Sequence, residues 1–124
     1  MESNAKKQET HFEAESDLIY VASPYSHQNK MVEEVRYGQV ADFVQRHLRE
    51  GRLVYSPIVY AHTLAQRHAL PTSAEWWWPF NKRMIEKCDR MWVLCLNGWE
   101  NSRGVRDEIE YAEIIGKLIK MFSP

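Results

Sequence analysis

Residues 101–112, NSRGVRDEIEYA, carry three carboxylates within four positions, Asp107, Glu108 and Glu110. A positioned, ionised carboxylate can attack a carbon electrophile or stabilise a sugar cation; a carboxylate on the wet side of a helix does neither. Periodicity separates the three. If 104–117 is a helix, about 100° per residue puts Val105, Ile109, Ala112 and Ile115 on one arc with Glu108 inside it. Asp107 and Glu110 point away and read as solvated. Ile114 falls outside the arc and marks a second surface, such as a subunit contact. A carboxylate facing a core is costly unless it is paired, hydrogen-bonded or used. A place in the first helical turn favours its ionised form. Geometry alone leaves Glu108 two roles, a chemical one and a structural one bonded to backbone or to a tyrosine.

The elements that position Glu108 follow from apolar spacing. DLIYVAS (17–23) reads as a first strand and NKMVEEVRYGQVADFVQRHLREG (29–51) as a helix stopped at Gly51, with Gly38 a weak spot inside it. RLVYSP (52–57) reads as a second strand, and 58–71 as a short helix or an ordered loop. SAEWWWPFNKRMIEKC (73–88) opens on a Ser cap and becomes helical, with Pro79 a kink or a restart. DRMWVLCLNG (89–98) is the most continuously apolar strand and therefore central. A helix over 104–117 and a last strand at 118–122 complete the series. Alternating strands and helices predict an α/β, Rossmann-like doubly wound, mainly parallel sheet of four to five strands with flanking helices. Ligands of such sheets bind beyond the carboxyl ends of the strands, which singles out the loops SPYSHQ (23–28) and NGWENSRG (97–104).

The 124 residues suit one domain, expected over 17–124, after a polar tail at 1–16 with almost nothing to bury. A net charge of −1 with interspersed signs gives no footprint for polymeric nucleic acid or an anionic membrane. No apolar run approaches a membrane span, and the N-terminal residues lack a secretory h-region, so a cytoplasmic location is expected. Cys88 and Cys95, if on one strand, stand roughly 23 Å apart, beyond disulfide reach, and read as free buried thiols. His62 and His68 have no third ligand at matching spacing, which argues against zinc. His62 reads as a solvated or helix-end histidine rather than a pocket residue.

The strand IYVASPYS (19–26) and the segments NKRMIEKCDRMWVL (81–94) and SRGVRDEIEYAEIIGK (102–117) together resemble the nucleoside 2-deoxyribosyltransferase superfamily. SPYS, SPIVYAH, WWWPFN, CDRMWVL and GWENSRGV look more closely like an uncharacterised branch of it found in bacteria and phages. The resemblance implies a Rossmann-like fold, cleavage of N-glycosidic bonds of (deoxy)nucleosides or their 5′-phosphates, and no metal or other cofactor. The superfamily signature is a polar residue, one residue, Gly, three residues and a nucleophilic Glu. Ser102, Gly104 and Glu108 match it, so the implied nucleophile is the carboxylate that periodicity turns inward.

Ser at position 102 resembles the members that hydrolyse 5′-monophosphates, whereas those acting on unphosphorylated nucleosides carry Asp. A Ser and the amides of a Gly-containing helix N-terminus attract phosphate; Ser102 is equally an N-cap. The first loop, with Ser23, Tyr25 and Ser26, and the basic Arg103 are the further candidates for substrate and phosphate. Tyr20 matches a tyrosine that orients the nucleophile. Members carry an Asp that protonates the leaving base eight residues before the Asp opening the third strand. Here Asp89 opens the strand and Asn81 occupies that place, and an amide is no general acid.

Three consecutive tryptophans in EWWWPF (75–80) cannot all face a core if helical. Trp77 and Trp78 are the candidates for stacking on a base, with a core or interface role as the alternative. The expectation is therefore an N-glycosidase acting on a (deoxy)nucleoside 5′-monophosphate, in a homodimer or larger assembly. A nucleotide-binding protein without turnover, a deoxyribosyltransferase, or an assembly subunit built on the Trp cluster are the alternatives.

Overall fold

Strand β1 (Leu18–Ala22) buries four of its five residues on two opposite faces. Period-two alternation sends Ile19 and Val21 into one cluster with Val40, Phe43 and Val44, and Tyr20 and Ala22 into another with Ile85, Val105 and Ala112. A strand apolar on both sides needs helices on both sides, and the chain supplies them. The computed structural model describes residues 11–13 and 15–124. The order is β1, α1 (Lys30–Arg49), β2 (Leu53–Tyr55), α2 (Pro57–His68), α3 (Ala74–Lys87), β3 (Arg90–Leu94), a 3₁₀ turn (Trp99–Asn101), α4 (Arg103–Ile114) and β4 (Leu118–Phe122). The sheet runs β2-β1-β3-β4 with every pair parallel. The fold is α/β, Rossmann-like and doubly wound, with β3 inside the sheet as its apolar run required. Among the described residues no helix is long and apolar enough to cross a membrane.

The chain leaves β1 toward β2 on one side and reaches β3 on the other, so a crevice opens between the carboxyl ends of β1 and β3. Arg36 on α1 ties the two bordering loops together. Its guanidinium donates to the carbonyls of Tyr25 at 3.3 Å and Ser26 at 3.1 Å, and to that of Asn97 at 3.3 Å. Gly98, at φ +89°, turns the second loop beneath it, and a Cβ there would stand 2.7 Å from the guanidinium. Glu33, buried on the same helix, accepts the amide of His27 at 3.0 Å. Truncating the clamp, Arg36→Ala, is expected to cost about 1–3 kcal/mol, because charge-assisted bonds to partly buried carbonyls are lost together. A thermal midpoint unchanged by circular dichroism would remove the clamp from this account.

Several local expectations are corrected. The uncertain stretch 58–71 is a helix to His68, because Pro57 sits in its first turn and Ser56 accepts the amide of Val59 at 3.1 Å. Helix α3 does not restart at Pro79 but runs through it, the proline forfeiting one backbone hydrogen bond of the helix. Gly38 likewise lies within an unbroken α1. Residues 1–10 and 14 of the expected tail lie outside the described residues, but its end is not loose. The His11 ring bonds the carbonyl of Leu48 at 2.8 Å and the amide of Glu13 that of Gly51 at 3.2 Å. The two cysteines are free, Cys88 buried and Cys95 half-buried. Burial and the neighbouring Asp89 push the Cys88 thiol up to about 11. Ile114 is 73% exposed.

Candidate active site

The crevice deepens into a cavity of about 450 Å³, a volume typical of small-molecule sites. Its floor is the start of α4. Ser102 caps that helix, accepting the amide of Val105 at 3.2 Å, and Gly104 lets α3 approach so closely that its added Cβ would lie 3.2 Å from Ala74. Glu108 projects from the same helix into the cavity and is 6% exposed. The Tyr20 hydroxyl, wholly buried on β1, donates a short hydrogen bond to Glu108 Oε2.

Burial lifts the Glu108 carboxyl from 4.5 to about 8, against the Tyr20 bond, which lowers it; the charge of Asp107 raises it further. This reverses the expected ionised state. Helix α4 begins at Arg103, so Glu108 lies beyond the first turn, where the dipole fades while desolvation is complete. Burial wins, and at neutral pH the protonated form is favoured. Tyr20 is raised well above 10, by burial first and Glu108 second.

The sequence candidates converge on this cavity. Ser23, Tyr25, Ser26, Trp77, Trp78, Asn81, Ser102, Arg103 and Gly104 all line it with Glu108. Their engagement differs. Ser26 Oγ already donates to the carbonyl of Thr72 at 2.6 Å. Arg103 is largely exposed and meets Asp107 at 3.7 Å. Trp77 is pinned by its indole N–H to the Pro71 carbonyl at 2.8 Å, and Trp78 lies edge-on to Tyr111. Trp76 is the most exposed of the three. By contrast, Ser23 Oγ and Asn81 Oδ1 are buried with no hydrogen-bond partner, as is the Tyr55 hydroxyl. Buried polar atoms are rarely left so, and the first two sit in the cavity wall, where a ligand would satisfy them.

Two readings of single residues are overturned. Asp107, assigned to solvent by periodicity, is half-buried and lines the cavity. A helix surface facing a crevice counts as outside the core without facing bulk water. His62, read as solvated or helix-terminal, is 4% exposed and lines the cavity from α2. Its Nδ1 is 2.7 Å from the Tyr25 hydroxyl, its Nε2 is 3.2 Å from the Glu34 carboxylate, and its ring stacks on Tyr37 at 3.9 Å. The signal for it was present, since SPIVYAH places a histidine one and a half turns after the strand. The missing knowledge was that 57–68 is helical. Among the described residues, no three His, Cys, Asp or Glu side chains are grouped to hold a metal ion.

A search of curated proteins found no match. Residues 17–123 match a family of proteins sharing a domain of unknown function, DUF1937, and the chain belongs to that family.

Proposed function

We propose that the protein hydrolyses the N-glycosidic bond of a (deoxy)nucleoside 5′-monophosphate, releasing the base and (deoxy)ribose 5-phosphate. The observation that carries this reading is Glu108. It is a buried carboxyl, hydrogen-bonded by a buried tyrosine, at the floor of a nucleotide-sized cavity. The ionised Glu108 attacks or stabilises C1′ while Tyr20 holds its second oxygen. Ser102 accepts a backbone amide through its oxygen, which leaves its hydroxyl proton for phosphate, beside the amides of the α4 N-terminus and Arg103. Ser23 Oγ faces the sugar and Asn81 Oδ1 accepts from the base edge. The base lies in the half of the cavity walled by Ile58, Ala61, Ala65 and the two indoles. No step is assigned to a cofactor. Catalysis with water makes the protein a hydrolase, and with a second base a deoxyribosyltransferase.

Asn81 supports a second reading, a cytoplasmic nucleotide-binding protein without turnover. A further part of the proposal is a homo-oligomer, supported by exposed Ile114 and by the surface row in which Tyr60 and Phe80 stack at 5.7 Å beside Trp76 and Trp77. The test of function is free base released from a panel of nucleoside and deoxynucleoside 5′-monophosphates, modified bases included, followed by chromatography. Release that Asn81→Asp increases and Glu108→Ala abolishes is expected. Tight binding with no release by any variant would leave the binding protein; no binding would remove both.

A further inference from the structure

The proposed reaction lacks a proton donor for the departing base at Asn81, and the cavity contains a connected array that can supply one. We propose that Tyr25 is the general acid of that reaction and that His62 and Glu34 recharge it. The inference rests on the glycosidase reading above.

Three side chains from three segments are joined in line. Glu34 on α1 reaches His62 Nε2 at 3.2 Å, and His62 Nδ1 reaches the Tyr25 hydroxyl at 2.7 Å. The imidazole is buried and held flat against Tyr37 at 3.9 Å, so its orientation is set by packing as well as by bonds. Arg36 fixes the Tyr25 backbone from below. Glu34 also accepts from Gln66. Tyr25 and His62 both border the cavity, on the side of the apolar α2 wall assigned to the base.

The bonding dictates two states. With Nε2–H on Glu34, the neutral ring can only accept at Nδ1, so the phenol gives it its proton and has none to offer the cavity. The imidazolium instead donates from Nδ1 to the phenol oxygen, and the phenol O–H is free to turn into the cavity. In both states Nε2–H meets the Glu34 carboxylate at 3.2 Å, so the ring keeps its orientation. When the C1′–N bond breaks, its electron pair moves to the base nitrogen and Glu108 closes on C1′. The phenol proton passes to the base, and the Nδ1 proton passes to the phenol oxygen, leaving a neutral His62. In the second half, water attacks C1′, Glu108 departs as carboxylate, and the proton lost by water restores the imidazolium through Tyr25.

This array differs from the other acids in the wall. Asp107 is engaged by Arg103 at 3.7 Å on α4, the helix that also carries Glu108, and Glu75 is exposed. Tyr25, by contrast, lines the cavity with its hydroxyl on the His62 ring at 2.7 Å, a proton source behind it.

The test compares two leaving groups with the full chain. One substrate is the natural nucleotide released fastest, and the other is the 4-nitrophenyl (deoxy)riboside 5-phosphate, whose phenolate leaves without a proton. Tyr25→Phe is expected to lower kcat on the nucleotide by about 10² or more and to change the nitrophenyl rate less than threefold. His62→Gln and Glu34→Gln should show the same split more weakly, since they act through Tyr25. Adding Asn81→Asp to Tyr25→Phe should restore the nucleotide rate. Equal losses on both substrates would reduce the array to a structural role and overturn the proposal while leaving the glycosidase intact. The same split produced by Asp107→Asn instead would also overturn it. Release from neither substrate by the unaltered chain would overturn both readings.

Discussion

Glu108→Gln is expected to stabilise the fold at pH 9 and to leave it nearly unchanged at pH 5. The carboxyl stands at about 8 in the folded protein against an ordinary 4.5. Below pH 4.5 the group is protonated whether the chain is folded or not, and contributes nothing. As pH rises through the interval, the unfolded chain sheds the proton while the folded one retains it, so stability falls. Above pH 8 both are ionised and the full penalty applies. At about 1.4 kcal/mol per pH unit between the two values, it reaches on the order of 5 kcal/mol. Glutamine is neutral throughout, so its advantage grows from pH 5 and levels off near pH 8. For a domain of this size that is roughly 15–20 °C in thermal midpoint at pH 9. Midpoints of the two proteins that run parallel between pH 5 and pH 9 would contradict a buried, proton-holding Glu108.

The second large effect is on turnover. Under the proposed reaction Glu108→Ala removes the attacking group and should lower base release by at least about 10³-fold. Only the carboxylate reacts in that scheme, so on the 4-nitrophenyl substrate, which needs no proton donor, kcat/KM for the unaltered chain should fall about tenfold per pH unit below pH 8. Tyr20→Phe sharpens this. The phenol bond is the one influence that lowers the Glu108 carboxyl, so its loss lifts the group above about 8 and moves the limb to higher pH. At pH 7 the variant is slower, and part of the loss returns at pH 9. A pH profile with the same midpoint in Tyr20→Phe and the unaltered chain would show that the tyrosine does not tune the glutamate. Loss of rate in Glu108→Ala together with stabilisation of Glu108→Gln is the combination expected if the buried carboxyl serves the proposed reaction at a cost in stability.

Much of this was legible in the one-dimensional pattern. The alternation of two-faced strands with helices defines a parallel sheet, because only helices on both sides can cover strands such as LIYVA and RMWVL. Helical periodicity is local, so it also sorted Glu108 from Glu110 and turned it toward the sheet. The caps at Ser73 and Ser102 lie one residue before their helices, where a short side chain can reach an orphan amide.

Tertiary structure decided whatever depends on distances between segments far apart in the chain. Periodicity divides a helix into core and not-core, and it has no category for a side chain facing a crevice, so Asp107 was placed in solvent. His62 gains its burial and its partners from α1 and the loop after β1, 37 positions beyond Tyr25 in the chain. The ionisation of Glu108 is the clearest case. The helix start that favours its charge is a local feature readable from Ser102, whereas the desolvation that outweighs it arises only when β1 and the cavity wall close around the carboxyl, a sum over neighbours that no local window contains.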